Sequence, residues 1–287
     1  MKILVTGGAG FIGSALINKL AEKKENSIIA VDKRRYDTIN RKSNVQYITL
    51  DTKNILDLED IKIDQIFHLG EYSRVEQSFD NLGEVLEDNV IGTAQIIRLW
   101  VRTKAKLVYA GSSTKFSDNH TGITGSPYAL TKGQNTNLIK SIGEWYGLNY
   151  AITYFYNVYG PDEVTEGPRA TVVGIYKTLM GKNQDLPVRK PGTQSRNFTH
   201  IDDIISGLEL VSIRGQGDGY GIGSDNEYSI IELAAMFGGN VKYLENRRGN
   251  RKSGPLITDR TKELGWSPKN SLEDYVRFLK ENNWEKE

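Results

Sequence analysis

Short apolar runs with the composition of strands alternate with longer segments of helical periodicity through the first half of the chain. Six runs have the length of buried strands, at residues 3–6, 27–32, 45–50, 65–69, 107–110 and 150–154. Three segments repeat apolar residues every three or four positions and predict helices, at about residues 11–24, 82–102 and 127–146. This alternation is typical of a parallel sheet whose strands are joined by crossover helices, so the predicted fold class is α/β.

The regular alternation fades after Asn157. The stretches that follow are interrupted by Gly-Pro and Pro-Gly turns at residues 160–161, 167–168 and 191–192, with shorter elements between them. We interpret them as a smaller lobe at the carboxyl edge of the sheet. The predicted division is a doubly wound domain of residues 1–156 with a return segment at about 194–225, and a C-terminal substrate-binding lobe of residues 157–193 and 226–287.

The charge balance excludes partners that need a strong overall field. The chain has 37 basic and 36 acidic side chains, a formal net charge of +1, and so no general attraction for nucleic acid or an anionic membrane. Any phosphate group must therefore be held by local contacts. There is no cysteine, which excludes disulfides, thiolate metal ligands and a cysteine nucleophile, and three histidines alone are a poor ligand set for a metal.

Neither an export signal nor a membrane anchor is predicted. The N-terminal apolar stretch is short and interrupted by glycines. No apolar run approaches the ~20 residues that a membrane-spanning helix needs. We therefore expect a soluble, cytoplasmic protein.

Three glycines stand between the first predicted strand and the first predicted helix. Gly7, Gly10 and Gly13 form a GxxGxxG pattern. Glycine is required where the chain turns tightly, approaches a pyrophosphate closely and packs a helix against a strand, and the free N–H groups of the helix N-terminus then face the phosphates. Three glycines alone are a common pattern, but this placement predicts a dinucleotide-binding site.

Asp32 ends the second predicted strand, about twenty residues beyond the glycines, as in dinucleotide-binding domains. A carboxylate there can accept hydrogen bonds from both hydroxyls of an adenosine ribose, which favours NAD over NADP because a 2′-phosphate would meet its negative charge. Lys33, Arg34 and Arg35 follow directly and would offset part of that repulsion. The alternative is that Asp32 only ends a strand in a turn.

Tyr128 and Lys132 lie four residues apart at the start of the third predicted helix, within the sequence SPYALTK. This spacing places them on one helix face, where an ammonium group favours the phenolate form of tyrosine and makes it a general base. A Tyr-x-x-x-Lys pair also occurs by chance on exposed helix faces. The hydroxyl-rich sequence GSST, from residue 111 after the fifth predicted strand, could supply a third donor.

These motifs belong to a wider resemblance that covers nearly the whole chain. The chain resembles the extended short-chain dehydrogenase/reductases of the nucleotide-sugar epimerase and dehydratase family, which includes UDP-glucose 4-epimerases. The matching segments are TGGAGFIGS from residue 6, LD from 50, FHLGEYSRVEQS from 67, DNVIGT from 88, GSST from 111, SPYALTK from 126, YNVYGP from 156, RNFTHIDD from 196, GIGSDNEYSIIELA from 221 and LGWSPKNSLED from 264. The resemblance implies a Rossmann domain with NAD as cofactor and a nucleotide-diphosphate sugar as substrate.

The resemblance also implies roles for single residues. The implied cofactor contacts, besides the glycines and Asp32, are Phe11, Ile12, Asp51, Leu69, Tyr128 and Lys132, with Asp51 at the adenine amino group. Asn89 resembles the asparagine that braces the catalytic helix. Ser112 resembles the hydroxyl that binds the reacting sugar oxygen, with Ser113 and Thr114 as alternatives. The residues that resemble substrate contacts are Ser113, Asn157, Arg196 and Arg247, of which the two arginines would clamp the diphosphate.

The reaction is indicated by a departure from the family pattern. Family dehydratases and decarboxylases have an acidic residue just after the catalytic Ser or Thr, whereas this chain has Ser113 and Thr114. Epimerisation needs no such acid, so we expect an NAD-dependent epimerase that inverts C4 of a UDP-hexose through a 4-keto intermediate. Glu71, where the family motif has alanine, could still supply a carboxylate. A 4,6-dehydratase or 4-keto reductase is the alternative among enzymes, and a catalytically idle dinucleotide-sensing module is the alternative outside them.

The two long predicted helices, at residues 82–102 and 127–146, imply a homodimer. In the family such helices pack against their copies as a four-helix bundle. Apolar residues such as Val85, Leu86 and Trp100 offer more hydrophobic surface than one sheet face needs to bury. We therefore expect a homodimer that binds a nucleotide sugar but neither nucleic acid nor a membrane.

Overall fold

The computed structural model describes residues 1–36, 41–58, 62–116, 125–246 and 253–285. Its strands are β1 (Lys2–Thr6), β2 (Ser27–Asp32), β3 (Val45–Thr49), β4 (Gln65–His68), β5 (Lys106–Ala110), β6 (Tyr150–Phe155), β7 (Val158–Tyr159), β8 (Leu186–Arg189), β9 (Ser195–Asn197), β10 (Thr199–His200), β11 (Gly217–Ile222), β12 (Glu227–Ser229) and β13 (Val241–Leu244). Its α-helices are α1 (Phe11–Ala21), α2 (Leu82–Val85), α3 (Thr93–Thr103), α4 (Pro127–Tyr146), α5 (Val172–Gly181), α6 (Ile201–Arg214), α7 (Ile230–Phe237), α8 (Asp259–Glu263) and α9 (Leu272–Glu281).

Seven of the described strands form one parallel sheet in the order β11-β6-β5-β4-β1-β2-β3. The chain runs outward from β1 to β3 and then returns across the sheet, so that β4 pairs with the other side of β1. In doubly wound sheets, ligands bind at such a reversal, outside the carboxyl ends of the strands. The predicted α/β class with a Rossmann-like parallel sheet is confirmed.

Helices cover both faces of this sheet. On one face, α1 and α6 contribute Leu16 and Leu208 to a buried apolar cluster with strand residues. On the other face, α3 and α4 contribute Trp100 and Ile139 to a second cluster. Because both faces are covered, the last four residues of β1 are all buried. This explains why the apolar runs of the sequence are continuous instead of alternating.

The elements predicted for the first half of the chain are present. Each of the six predicted strands is found, with ends that differ by at most one residue, and the helix predicted at 127–146 is α4. The helix predicted at 11–24 ends earlier, at Ala21. Residues 22–25 are Glu-Lys-Lys-Glu and offer nothing apolar to pack on the sheet. Asn26 Nδ2 also donates a hydrogen bond to the Leu20 carbonyl at 2.9 Å, which occupies one of the terminal helix carbonyls.

The helix predicted at 82–102 is not regular throughout. A π-helical segment, Leu86–Gly92, joins α2 to α3 and buries Asp88 and Asn89. π-Helical turns often mark functional sites because they turn side chains out of the regular helical register. Hydrophobic periodicity alone could not reveal this change of register.

The sheet is completed by elements that local sequence patterns did not predict. The chain leaves the sheet after β6, returns through α6 and adds β11 in parallel beside β6. The sequence of β11 is GDGYGI, and its three glycines give it little strand propensity. Both elements lie within the return segment expected at about residues 194–225, although the domain boundaries themselves stay a prediction.

The rest of the second half forms a smaller lobe with its own apolar core. Side chains from α5, α7, α9 and β8 meet there, including Tyr176, Phe237, Leu279 and Val188. Within the described ranges, none of the helices combines the length and the apolar character that crossing a membrane requires. The cytoplasmic location stays a prediction.

Candidate active site

A cavity of about 610 Å³ lies where the strands of the main sheet end. Its wall includes residues that follow strands of this sheet, such as Gly7 after β1, Leu69 after β4 and Gly111 after β5. The wall continues onto the smaller lobe at Phe198 and Ile230. The predicted site residues that line it are Gly7, Gly10, Phe11, Ile12, Gly13, Asp32, Asp51, Leu69, Ser112, Ser113, Tyr128, Lys132, Asn157 and Arg196. Arg247, the other predicted arginine, lies outside the described residues.

The glycine loop fits a pyrophosphate. Gly7 adopts a φ of +72°, which favours glycine, and its carbonyl accepts a hydrogen bond from the Gly10 N–H at 2.9 Å. A Cβ atom on Gly13 would lie 2.1 Å from the Gly7 carbonyl oxygen, so a side chain there would break the turn. Gly10 is the N-cap of α1, and because glycine has no side chain, no capping side chain occupies the N–H groups at this end of the helix. The loop therefore leaves room for phosphates at a helix N-terminus.

Asp32 and Asp51, the predicted adenosine contacts, are held in place in the cavity wall. Asp32 Oδ2 accepts the Ala9 N–H at 3.0 Å, and Oδ1 accepts the Arg34 N–H at 2.9 Å. Asp32 thus connects the glycine loop to the end of β2 and is more than a turn residue. Asp51 caps the short 3₁₀ segment Thr52–Asp57 by accepting the Lys53 N–H at 3.0 Å.

Tyr128 lies in the first turn of α4. Ser126 Oγ accepts the Ala129 N–H at 3.1 Å, and a proline in the first turn favours the helical conformation there, so the start of this helix is well defined. Tyr128 and Lys132 both face the cavity, where Ser112 also lies. Ser112 Oγ is 2.8 Å from the Thr114 hydroxyl. The structure therefore brings the predicted tyrosine, lysine and serine to one cavity.

Lys132 forms a buried ion pair with Glu71, and sequence analysis did not predict this contact. Lys132 Nζ donates hydrogen bonds to Glu71 Oε2 and to the Ala110 carbonyl. The two side chains are only 7% and 2% exposed. The positive charge of Lys132 is thus balanced by a buried carboxylate.

Both oxygens of Glu71 are occupied. While Oε2 accepts from Lys132, Oε1 accepts hydrogen bonds from Thr93 Oγ1 at 2.7 Å, Asn135 Nδ2 at 2.7 Å and the Tyr109 hydroxyl at 3.1 Å. Burial on its own would raise the pKa of Glu71, but Lys132 above all, with the hydrogen bond from Thr93, outweighs it, so the pKa lies below the ordinary value. Glu71 is therefore a fixed carboxylate and is unsuited to move protons at a sugar, the role that the sequence left open for it.

A chain of hydrogen bonds continues from Glu71 into the core of the sheet. His68 Nε2 lies 2.9 Å from Thr93 Oγ1, and His68 Nδ1 lies 2.7 Å from Thr6 Oγ1. Burial lowers the pKa of His68 to about 4, so its ring is neutral at physiological pH. The network fixes the end of β4 against β1 and α3, directly beneath the cavity.

Asn89, the predicted brace of the catalytic helix, joins three parts of the site. Its Nδ2 donates to Thr131 Oγ1 at 2.9 Å, its Oδ1 accepts the Tyr72 N–H at 2.7 Å, and its carbonyl accepts from Asn135 Nδ2 at 2.6 Å. These bonds tie the π-helical segment to α4 and to the loop after β4. The geometry agrees with a bracing role.

Two predicted substrate contacts, Asn157 and Arg196, also line the cavity. Asn157 follows β6 with a positive φ of 27°, and its Nδ2 donates to the Asn197 carbonyl at 3.1 Å. Arg196 lies on the neighbouring strand β9 and donates from Nη1 to the Ser195 carbonyl at 2.6 Å. Both residues are placed where they could contact a substrate.

Two further arginines line the cavity and were not identified from the sequence. Arg74 lies within the motif FHLGEYSRVEQS, but the motif alone gave no role for this position. Arg169 lies in the irregular stretch before α5, where no pattern distinguishes it. Arg74 Nη2 donates to the Arg169 carbonyl, so the two residues are neighbours in the wall.

The fold and the site together define a dinucleotide-dependent enzyme of the Rossmann class. The chain belongs to the NAD dependent epimerase/dehydratase family, whose model matches residues 3–223. Members of this family are NAD-dependent enzymes, so NAD is the cofactor that the glycine loop and Asp32 fit.

Relatives that span nearly the whole chain have different reactions. A putative UDP-glucose 4-epimerase of Methanocaldococcus jannaschii is 28% identical, over 98% of this chain and 99% of that protein. UDP-glucuronic acid decarboxylase 6 of Arabidopsis thaliana is 28% identical, over 98% of this chain and 88% of that protein. The dTDP-glucose 4,6-dehydratase of Streptomyces venezuelae, solved with NAD and TYD bound, has a TM-score of 0.84 at 25% identity and covers 98% of each chain. Similarity alone therefore fixes the family and the cofactor but not the reaction.

Asp32 gives a prediction about cofactor choice. Asp32→Ala should weaken NAD binding by roughly 1.5–3 kcal/mol, the range for hydrogen bonds to a charged group, and NADP binding by less. Because Asp32 also accepts the Ala9 N–H, Asp32→Asn is the matched variant that keeps one acceptor oxygen without the charge. Fluorescence titration with both cofactors measures the effect. Tighter binding of NADP than of NAD by the unmutated protein would contradict the assignment.

Proposed function

We propose that the protein is a nucleotide-sugar epimerase that inverts C4 of a UDP-hexose through a 4-keto intermediate. One observation supports this reaction over elimination: among the described residues, every carboxylate that lines the cavity lies within 4 Å of a cation. These carboxylates are Asp32, Asp51, Glu71 and Asp88. Epimerisation at C4 needs a base only for the 4-hydroxyl, whereas loss of water needs a second group that transfers protons.

Tyr128 is the general base in this proposal. Its phenolate takes the proton of the sugar 4-hydroxyl, and Ser112 donates a hydrogen bond to the same oxygen. Lys132 supplies the positive charge that favours the phenolate, with Glu71 fixing the position of its ammonium group. The glycine loop, Asp32 and Asp51 would hold NAD, which when bound would supply the redox chemistry, a reversible hydride transfer at C4.

Inversion requires the flat 4-keto centre to present its other face. Arg196, with Arg247 as its predicted partner, holds the diphosphate while the sugar ring turns about its linkage. Tyr128 then returns the proton to the oxygen at C4. The reaction has no net redox change and needs no second substrate.

Product analysis tests the proposal. The purified protein is incubated with UDP-glucose, UDP-galactose, UDP-glucuronic acid and dTDP-glucose, and the products are followed by proton NMR. We expect a C4 epimer of at least one UDP sugar, with Tyr128→Phe as the inactive control. A 4-keto-6-deoxy product would indicate a dehydratase, a pentose would indicate a decarboxylase, and no product from any sugar would favour the idle dinucleotide-sensing module.

We also propose that the protein is a homodimer. The π-helical segment exposes Leu86, Val90 and Ile91, and α4 exposes Leu138 and Trp145. Apolar side chains on both helices thus offer a shared surface for a second copy. Val85 and Trp100, which the sequence suggested for this surface, are fully buried within the subunit and cannot contribute to it. Periodicity did not distinguish the face packed on the sheet from the face turned to solvent.

A charged substitution in this surface should separate the subunits. Leu86→Glu combined with Val90→Glu is expected to give monomers, because burying two carboxylates in an apolar contact is costly. Ile213→Glu is the matched control, since Ile213 is an exposed residue of α6 on another side of the protein. Light scattering measures the mass of each variant. A monomer mass for the unmutated protein at micromolar concentration would contradict the proposed dimer.

A further inference from the structure

We infer that the sugar bound by this protein carries a carboxylate at C6, and that Arg74 binds it. The substrate class is then a nucleotide hexuronate and not a neutral nucleotide hexose. This inference deepens the proposed function and rests on it, because it uses the placement of the sugar 4-hydroxyl at Tyr128.

Arg74 lies in the loop between β4 and α2 and lines the same cavity as Tyr128 and Ser112. Its Nη2 donates to the Arg169 carbonyl. Its Nε is buried and has no hydrogen-bond partner among the residues that the structure describes. The guanidinium therefore has hydrogen-bonding capacity that the part of the chain described by the structure does not use.

Four other cations of the cavity wall have carboxylate partners. Lys33 pairs with Asp88 at 2.7 Å, Arg34 with Asp32 at 3.3 Å, and Lys132 with Glu71. Across residues 1–36, 41–58, 62–116, 125–246 and 253–285, no carboxylate forms an ion pair with Arg74. Its neighbour Arg169 pairs with Glu84 at 3.1 Å, and this pair is partly exposed.

A cation that is largely removed from water and has no counter-ion is unfavourable. Burial lowers the pKa of the Arg74 guanidinium, while the nearby Tyr128 opposes this shift and Arg169 adds to it. A guanidinium still stays protonated at physiological pH, so its charge remains in the wall. An anionic group of a ligand would supply the missing partner, and a planar carboxylate matches the guanidinium through two parallel hydrogen bonds.

The covalent structure of the sugar identifies which anion this is. In a pyranose ring, C1 and C4 lie on opposite sides, so the diphosphate at C1 points away from the 4-hydroxyl at Tyr128. Of the two ring carbons next to C4, C3 carries a hydroxyl group, whereas C5 carries the exocyclic carbon C6, which can be oxidised to a carboxylate. A C6 carboxylate is therefore an anion that can lie beside Tyr128 while the diphosphate reaches Arg196.

Arg74→Met removes the charge and keeps most of the side-chain length, and Arg74→Lys restores a charge without the planar fork. Arg98→Met is the matched control, because Arg98 is an exposed arginine of α3 outside the cavity. Each protein, loaded with NAD, is titrated calorimetrically with UDP, UDP-glucose and UDP-glucuronic acid. Thermal melting and NAD titration check that each variant is folded.

The unmutated protein should bind UDP-glucuronic acid more tightly than UDP-glucose. Arg74→Met should weaken UDP-glucuronic acid roughly 10- to 100-fold, the effect of losing a hydrogen bond to a charged group, and leave UDP and UDP-glucose nearly unchanged. Arg74→Lys should recover part of the difference, and Arg98→Met should change nothing. Equal losses for UDP and both sugars would mean that Arg74 binds the diphosphate, and would overturn the inference. No preference between the two sugars in the unmutated protein would also overturn it.

Turnover separates this inference from the proposed function. If UDP-glucuronic acid binds through Arg74 but yields a pentose, the inference holds and the epimerase proposal fails. If UDP-glucose is epimerised and Arg74→Met leaves the relative affinities unchanged, the epimerase proposal holds and the inference fails.

Discussion

Tyr128→Phe is expected to lower kcat by roughly 10²–10⁴-fold, the usual loss when a general base is removed. The variant lacks a single oxygen atom, so folding and NAD affinity should stay close to those of the unmutated protein. Tyr146→Phe is the matched control, because Tyr146 ends the same helix and is exposed. Initial rates with the substrate found by NMR measure the effect. A Tyr128→Phe enzyme with more than a tenth of normal kcat would remove Tyr128 from the mechanism.

Lys132→Met is expected to lower both stability and turnover. It leaves the Glu71 carboxylate buried without its cation, and breaking a buried pair from one side costs about 3–5 kcal/mol in the free energy of unfolding. The double variant Lys132→Met with Glu71→Gln removes the stranded charge and should recover most of that stability. Its turnover should stay low, because the ammonium that favours the phenolate is still missing. Urea unfolding and initial rates, measured on both variants and on the unmutated protein, separate the two effects.

The control for this comparison is Lys140→Met. Lys140 pairs with Asp218 at 3.4 Å in a partly exposed position, where loss of an ion pair costs about 0–1 kcal/mol. A Lys132→Met protein as stable as Lys140→Met would show that the buried pair with Glu71 does not form in solution. Recovery of turnover in the double variant would instead show that Lys132 is not needed for the chemistry.

The Glu71 pair also predicts how stability depends on pH. The folded protein holds the pKa of Glu71 below its ordinary value, against the effect of burial and through Lys132. Its contribution to stability is therefore complete above the unfolded glutamate pKa of about 4.3. It is lost as the pH falls through the lower folded value. Glu71→Gln should accordingly flatten the acid limb of the stability curve.

The sequence predicted those parts of the fold whose signals are local. The strands β1 to β6 and the helix α4 could be predicted without tertiary information. Their burial gives the sequence continuous apolar runs in the strands and a helical period in α4. The strand β11 could not be predicted in this way, because its three glycines have low strand propensity and its position depends on pairing with β6. The π-helical segment Leu86–Gly92 is likewise a tertiary feature within a pattern that reads as an ordinary helix.

In the candidate site, too, some residues could be predicted from local spacing, whereas others are brought together only by the fold. The glycine loop, Asp32 and the Tyr128 and Lys132 pair follow from spacing, and the structure places them in one cavity. The partner of Lys132 could not be predicted, because Glu71 lies 61 residues away in the sequence and meets it only when β4 and α4 pack together. That Arg74 Nε has no hydrogen-bond partner among the described residues depends on all the segments packed around it, so the motif that contains Arg74 could not predict it.

The pair of Glu71 and Lys132 bears on the reaction as well as on the fold. A carboxylate so close to the cavity would ordinarily be a candidate acid for elimination. Here it is 2% exposed and bonded through both oxygens, so it can act only through Lys132. This arrangement is why we favour epimerisation among the reactions of the family.

In the proposed epimerisation, oxidation and reduction both occur at C4 of one sugar. The direct test uses the nucleotide sugar that turns over fastest, labelled with deuterium at C4, and the NAD-loaded protein in ordinary water. NMR and mass spectrometry then locate the label in the product. We expect the deuterium to remain at C4 of the inverted sugar, with no hydrogen exchanged at C5. Deuterium at C6, or a product lighter by one water, would contradict it.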